Sequence, residues 1–193
     1  MSDVGKVVLL TGVPGVGKTT IASLLSERLK GVHVDLSELA LEKGLVTRYD
    51  PVRETSVVDL ERLKTRLMEM IQERRAPLVV EGHFSQDVLP PEAVSRVFVL
   101  RRAPWRLKGE LESRGYDPDK VRENVEAELL DVCLVEAVEA HGRGKVCELD
   151  TTDVGANEIV ETIISILNGG KACEIGIDWL SHPESRELLG GEA

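Results

Sequence analysis

Continuous apolar runs alternate along this chain with segments in which apolar residues recur every three or four positions. Lys6 to Thr11, centred on Val7-Val8-Leu9-Leu10, is too uniformly apolar for a one-faced sheet and predicts a central parallel strand. Thr19 to Leu29 follows, with Ile21, Ala22, Leu24, Leu25 and Leu29 mostly on one helical face and Gly31 as the stop. Val32 to Val34 predicts a short second strand, after which Asp35 or Ser37 can cap a helix through Glu38, Leu39 and Leu41 to Gly44. From Leu45 to Ser56 the pattern is lost, and Tyr49-Asp50-Pro51 marks loop. It returns over Val57 to Arg75 as one long amphipathic helix, with Leu60, Leu63, Leu67, Met70 and Ile71 at helical spacing.

Pro77 to Glu81 and Arg96 to Leu100 predict two further buried strands. Pro104 opens a helix through Leu107 and Leu111 to Arg114, which Gly115-Tyr116-Asp117-Pro118 breaks. Asp117 then caps a single helix carrying Val121, Val125, Leu129, Val132, Val135 and Val138 to His141. Lys145 to Leu149 is the last strand and Ile159 to Leu167 the last helix. Such alternation predicts an α/β fold, a doubly wound parallel sheet of about five strands with its ligand at the strands' C-terminal ends. Residues 1–170 read as one domain and 171–193 as a tail. In that tail Trp179 and its apolar neighbours are expected to dock, with residues beyond about Pro183 loose.

Composition narrows the partners. A length of 193 residues suits one α/β domain, and aromatics at 3% demand an aliphatic core and leave adenine to rest on aliphatic side chains and an arginine. The net charge of −10 argues against a free-standing nucleic-acid binder, while it serves solubility and suits a basic protein partner. Cys133, Cys147 and Cys173 are isolated and odd in number, so they are expected to be reduced thiols used in packing. The first strand begins within a few residues of the first Met, so no signal peptide is expected, and no apolar run reaches membrane-spanning length. The expected compartment is the cytoplasm, or the nucleus where the cell has one.

Chemistry concentrates after the first strand. Gly12-Val13-Pro14-Gly15-Val16-Gly17-Lys18-Thr19-Thr20 fits the pattern G-x-x-x-x-G-K-[ST], a phosphate-binding loop. Glycines let the backbone N–H groups, those of Gly15, Val16 and Gly17 among them, point inward at phosphate, and the helix that follows adds its positive end. Lys18 brings a point charge to the transferred phosphoryl group, Thr19 a hydroxyl able to ligate Mg²⁺, and Thr20 a second phosphate contact. The ligand is therefore a nucleotide, with ATP and Mg²⁺ expected.

Other strand ends must decide the reaction. Glu81 closes an apolar strand where a carboxylate would hold Mg²⁺ through water, and His83 just beyond could position water or an incoming phosphate. Arg114, at the break between two helices, could swing over the phosphates on a mobile lid. Arg101 and Arg102 could clamp phosphate from the opposite side, at least one of the two being expected to be only a surface charge. Thr151-Thr152-Asp153-Val154 is placed to line an adenine pocket, mainly through backbone groups, with Thr152 at its centre.

The phosphate loop, Asp35-Leu36-Ser37-Glu38-Leu39-Ala40, Val79-Val80-Glu81-Gly82-His83, Val97-Phe98-Val99-Leu100-Arg101 and Leu111-Glu112-Ser113-Arg114-Gly115-Tyr116, followed by Lys120, Asn124 and Glu128, together resemble the adenylate kinase isoenzyme six family. This is the coilin-interacting nuclear ATPase family, with archaeal and eukaryotic members, and the resemblance covers roughly residues 6–168. It implies a P-loop fold of the nucleoside monophosphate kinase type, broad monophosphate kinase activity, ATPase activity, and a role in late maturation of the small ribosomal subunit beside a ribosomal protein. By the same resemblance, residues 35–56 form the monophosphate-binding region and 114–120 the lid. Two positions depart from it: Glu81 stands where the family often has Asp, and Leu41 where relatives can place an arginine, leaving Lys43, Arg48 or Arg53 to meet the monophosphate. The leading expectation is phosphoryl transfer from Mg-ATP to AMP or another nucleoside monophosphate, with Lys18, His83 and Arg114 as the catalytic groups. An ATPase switch that grips a ribosomal protein, and a P-loop kinase for a metabolite such as shikimate or a sugar acid, stay open as alternatives.

Overall fold

The computed structural model describes residues 7–50 and 55–188. Its chain runs β1 (Val7–Thr11), α1 (Lys18–Leu29), β2 (Val32–Asp35), α2 (Leu36–Glu42), β3 (Val46–Asp50), β4 (Thr55–Val58), α3 (Leu60–Glu73) and β5 (Leu78–Glu81). It continues through β6 (Arg96–Arg101), α4 (Pro104–Ser113), α5 (Pro118–Leu129), α6 (Val132–His141), β7 (Val146–Asp150), α7 (Ala156–Leu167) and α8 (Pro183–Leu188). Five strands pair in parallel in the order β2-β5-β1-β6-β7. Every residue of β1 and β5 is buried, so both faces of the sheet are covered there, as the unbroken apolar runs require. α1 lies against β5 and β2 with α7 beside it, and α6 lies against β6 and β7. Phe98 is the one aromatic among the large, fully buried core side chains of the described residues, which are otherwise chiefly leucines. No helix of the described residues is long and apolar enough to cross a membrane.

Register brings strand ends together. Glu81 at the end of β5 stands beside Asp35 at the end of β2 and Leu10 near the end of β1. Chain order reverses around β1, so the crevice above these ends is where a ligand fits an open α/β sheet.

Several expectations are corrected. Leu45 to Ser56 is not simply loop, because β3 and β4 pair antiparallel, with Val46 opposite Val58 and Arg48 opposite Val57. Thr47 and Arg48 are exposed, so this ribbon lacks the apolar alternation that announces a strand. The helix expected from Val57 starts at Leu60, where the Asp59 carboxylate accepts from the Arg62 backbone N–H at 3.1 Å. The helix expected from Asp117 to His141 is two helices, divided at Asp131, whose φ is +58°. Lys145 belongs to a short 3₁₀ turn, and the last strand begins one residue later.

The tail also differs. Cys147 and Cys173 form a disulfide, with Cα atoms 5.1 Å apart, in place of the expected reduced thiols. Their separation of 26 residues hides the pair in sequence, but the chain leaving α7 returns along the free edge of β7, where the Glu148 N–H donates to the Glu174 carbonyl at 2.9 Å. Cys133 stays a buried free thiol as expected, and burial pushes its pKa up to about 11. Trp179 docks as anticipated, buried and donating from Nε1 to Glu128 Oε1 at 2.9 Å. Beyond it the chain forms α8 over the stretch expected to be loose, and Ser185 there is fully buried, its hydroxyl bonded to the Trp179 carbonyl.

Candidate active site

Gly12 follows the last residue of β1 with φ +139°, and a Cβ there would fall 2.5 Å from the Leu100 carbonyl oxygen, which only glycine avoids. Gly17 ends the loop at φ +94° and starts α1, accepting the first helical hydrogen bond from the Ile21 N–H at 3.0 Å. The loop between them curls over the N-terminus of α1 and leaves that helix's first N–H groups facing outward. Val16 is buried, and its carbonyl accepts from the Thr151 hydroxyl at 3.1 Å, which ties the loop to the segment after β7. Thr19 and Thr20 stand exposed on the first turn of α1.

Half-buried Lys18 folds back across the loop, its Nζ donating to the Gly12 carbonyl at 2.8 Å and the Val13 carbonyl at 3.0 Å. Burial holds its pKa below the ordinary value, and the charges of Glu81 and Asp35 oppose that shift. Glu81 is 3% exposed. Burial raises its pKa, opposed by a hydrogen bond from Thr19 and by the Lys18 charge, and Asp35 adds to the rise. Glu81 Oε1 is buried with no hydrogen-bond partner. A buried carboxylate that bonds a threonine hydroxyl and feels a lysine charge, at the mouth of a glycine cradle, fits a divalent cation with its phosphates. His83 lies on the loop beyond β5, its ring edge-on to Phe84 at 4.7 Å, and desolvation followed by the Lys18 charge keeps its pKa below the usual imidazole value. The structure therefore gathers Lys18, Thr19, Glu81 and His83 around one point.

That loop is anchored to the end of β1. The Gly82 N–H and the Ser85 hydroxyl both donate to the Leu10 carbonyl, at 3.3 and 3.0 Å. Thr11 donates from Oγ1 to Gln86 Oε1 at 2.7 Å, and Gln86 donates to Glu136 on α6 at 2.9 Å. Gln86, 1% exposed, escapes a sequence reading because its partners lie far along the chain. Asp35 is one of the two residues expected to cap α2, and it does so, accepting from the Ser37 and Glu38 N–H groups at 2.8 and 3.1 Å. Its place beside Glu81 follows from strand register.

Other expected site residues sit elsewhere. Arg101 is not a phosphate clamp: 1% exposed, it donates to Glu128 Oε1 at 2.6 Å, to the Glu128 carbonyl at 2.8 Å, and to Asp131 and Glu148. Burial opposes its charge, but Glu128 and Asp131 more than compensate and hold it protonated. Arg102 is likewise engaged, by Glu110 and by the Thr151 carbonyl at 2.8 Å. Thr152 uses its hydroxyl to accept from the Ala103 N–H at 2.9 Å and to donate to Asp150, bracing the start of α4. Arg114 caps the C-terminus of α4, exposed at the α4–α5 break. Lys43 and Arg48 are exposed, at the end of α2 and on β3, and Arg53 lies outside the described residues.

Residues 8–131 match the family model described as an AAA domain. Over 170 residues the chain is 45% identical to a "Putative adenylate kinase" of Methanothermobacter thermautotrophicus, covering 88% of this chain and 94% of that protein. A protein of the same description from Pyrococcus abyssi is 41% identical over 173 residues, covering 89% and 90%. Among solved structures, shikimate kinase from Acinetobacter baumannii in complex with shikimate superposes with a TM-score of 0.55 at 20% identity, over 86% of this chain and 94% of that one. A gluconokinase from Sinorhizobium meliloti gives 0.57 at 15% identity, over 86% and 93%. These likenesses support the P-loop kinase fold.

Proposed function

The chain belongs to the family of these archaeal "Putative adenylate kinase" proteins, and on that premise we propose that it transfers the γ-phosphoryl group of ATP to a nucleoside monophosphate, AMP first among acceptors. The observation that carries this reading is the gathering of Lys18, Thr19, Glu81 and His83 above the end of β1. Loop amides and the α1 N-terminus bind phosphate oxygens, and Lys18 exchanges its two carbonyl contacts for the phosphate. The Thr19 hydroxyl and the Glu81 carboxylate would hold Mg²⁺, which when bound neutralises charge between the β- and γ-phosphates. Arg114 reaches the phosphates when the α4–α5 break closes as a lid, and the segment from Asp35 to Ser56 receives the acceptor, with Lys43 and Arg48 supplying charge that exposed Leu41 cannot.

A nucleoside monophosphate brings its own phosphate oxygen as nucleophile and needs only positioning. Without it, neutral His83 orients water instead, which yields ATP hydrolysis. The resemblance to isoenzyme six and the net charge of −10 support a second use of that hydrolysis, in gripping and releasing a basic protein of the small ribosomal subunit.

The test is incubation with Mg-ATP and, separately, AMP, other monophosphates, shikimate and gluconate. ADP should accumulate from AMP, and Lys18→Ala should lower that rate by at least about 100-fold, ~2.7 kcal/mol of barrier, with the fold intact. Phosphorylation of a metabolite and of no monophosphate would replace this reading with that of a metabolite kinase. His83→Ala should slow hydrolysis by about 10²–10⁴-fold and monophosphate phosphorylation much less.

A further inference from the structure

Glu81 Oε1 has a neighbour that the transfer scheme does not use. His33 Nε2 lies 3.6 Å from it, and these two atoms are both buried and without hydrogen-bond partners. Register explains the meeting. His33 pairs with Val79 and Asp35 with Glu81 across the parallel β2–β5 ladder, so His33, Asp35 and Glu81 emerge on one face of the sheet and His33 sits diagonally behind Glu81. Lys18 and Thr19 act on Glu81 from the start of α1, and α1 packs on these same two strands.

The separation is informative in both directions. It exceeds the 2.7–3.2 Å of an N–H···O bond by only a few tenths of an ångström, and it is too short to admit a bridging water. An imidazole carrying its proton on Nε2 is thus the group placed to engage that oxygen. Glu81 has three side-chain torsions to fix and a competing attraction from the Lys18 ammonium. An anchor on one carboxylate oxygen leaves the other directed at Thr19 and the phosphates, the way a carboxylate–histidine pair orients a metal ligand from behind.

We propose that His33 is a positioning residue, donating from Nε2 to Glu81 Oε1 and so setting the carboxylate for the metal-bound nucleotide. This rests on the assignment of Glu81 to the metal under the function proposed above. The probe is Mn²⁺, titrated by its electron paramagnetic resonance signal against protein saturated with a non-hydrolysable ATP analogue, for wild type, His33→Phe, His33→Gln and Glu81→Gln. His33→Phe should weaken Mn²⁺ binding by about 10–100-fold, the usual loss on removing such a partner, while affinity for the analogue in EDTA stays within about twofold. His33→Gln, which keeps an N–H donor, should recover a large part of the loss. If Phe disturbs β2, His33→Leu gives the same comparison, since the histidine side chain is 24% exposed and tolerates a smaller apolar group. Loss in Glu81→Gln with none in His33→Phe would overturn the positioning role and leave the metal site standing. Equal loss of metal-free analogue affinity in His33→Phe would also overturn it, by making His33 a general support. No loss in Glu81→Gln would overturn both the role of His33 and the metal assignment beneath it.

Discussion

Single side chains carry large burdens in this molecule, and His141 is one whose cost depends on pH. It is buried at the end of α6, where its Nε2 donates to the Gln86 carbonyl at 2.9 Å. Burial lowers its pKa, the hydrogen bond opposes this, and the Lys145 charge adds to the lowering. Unfolded, the imidazole binds its proton near pH 6.5; folded, it does so only at lower pH, so between those points the unfolded chain holds more protons. Stability contributed by neutral His141 is complete above about pH 6.5 and is lost as pH falls toward the folded pKa. Melting temperatures from pH 7.5 to 5.5 should therefore fall less steeply in His141→Gln than in wild type, and parallel slopes would rule the contribution out. Lys18, Thr19 and Glu81 can be picked out in the sequence because their neighbours in the chain mark a glycine-rich loop and a strand end. His33, Gln86 and the true place of Arg101 are not. A strand-end arginine looks like a surface charge until α5, the α5–α6 break and β7 each bring it an acceptor.

Among elements, the division of α5 from α6 shows how far periodicity can be trusted. Leu129, Val132 and Val135 continue one helical stripe in the sequence, yet Val132 and Val135 are 37% and 49% exposed, while Cys133, Leu134 and Ala137 point inward. Asp131 shifts the phase by taking a left-handed conformation and giving its carboxylate to Arg101. Ala at that position carries a left-handed penalty of roughly 1–2 kcal/mol and removes one acceptor from a buried cation. Asp131→Ala should destabilise by about 2–4 kcal/mol in urea unfolding, and Asp131→Asn, which tolerates that conformation and keeps an oxygen, by about half as much. Equal losses would assign the whole effect to charge. The β3–β4 ribbon is hidden for the opposite reason: a surface hairpin held by backbone bonds leaves little apolar pattern to read.

Taken whole, the sheet, its strand number and the position of the phosphate loop can be read from alternation alone, because buried parallel strands leave unbroken apolar runs. The tail cannot, since it is held by Glu148, which accepts from the Gly176 and Ile177 N–H groups at 2.7 and 3.1 Å, by Glu128 through Trp179, and by the Cys147–Cys173 bond. Closing a loop of 26 residues restricts the unfolded chain by up to about 3.5 kcal/mol. Reduction should lower the melting temperature by about 7–14 °C at 2–4 °C per kcal/mol. Three thiols titrating in the unreduced, denatured protein would show that the bond does not form.

The docked tail has an optical consequence. Trp105 and Trp179 are the only tryptophans in the chain, and they meet edge-to-face with ring centroids 5.6 Å apart, His182 stacking on Trp105 from its own side at 4.3 Å. Nearly all intrinsic fluorescence excited at the red edge of protein absorption thus originates in one joint, between the start of α4 and the returning chain. Any lifting of the tail away from α4 parts the two rings and exposes both indoles together. The emission spectrum is a built-in gauge of tail docking, readable without a label.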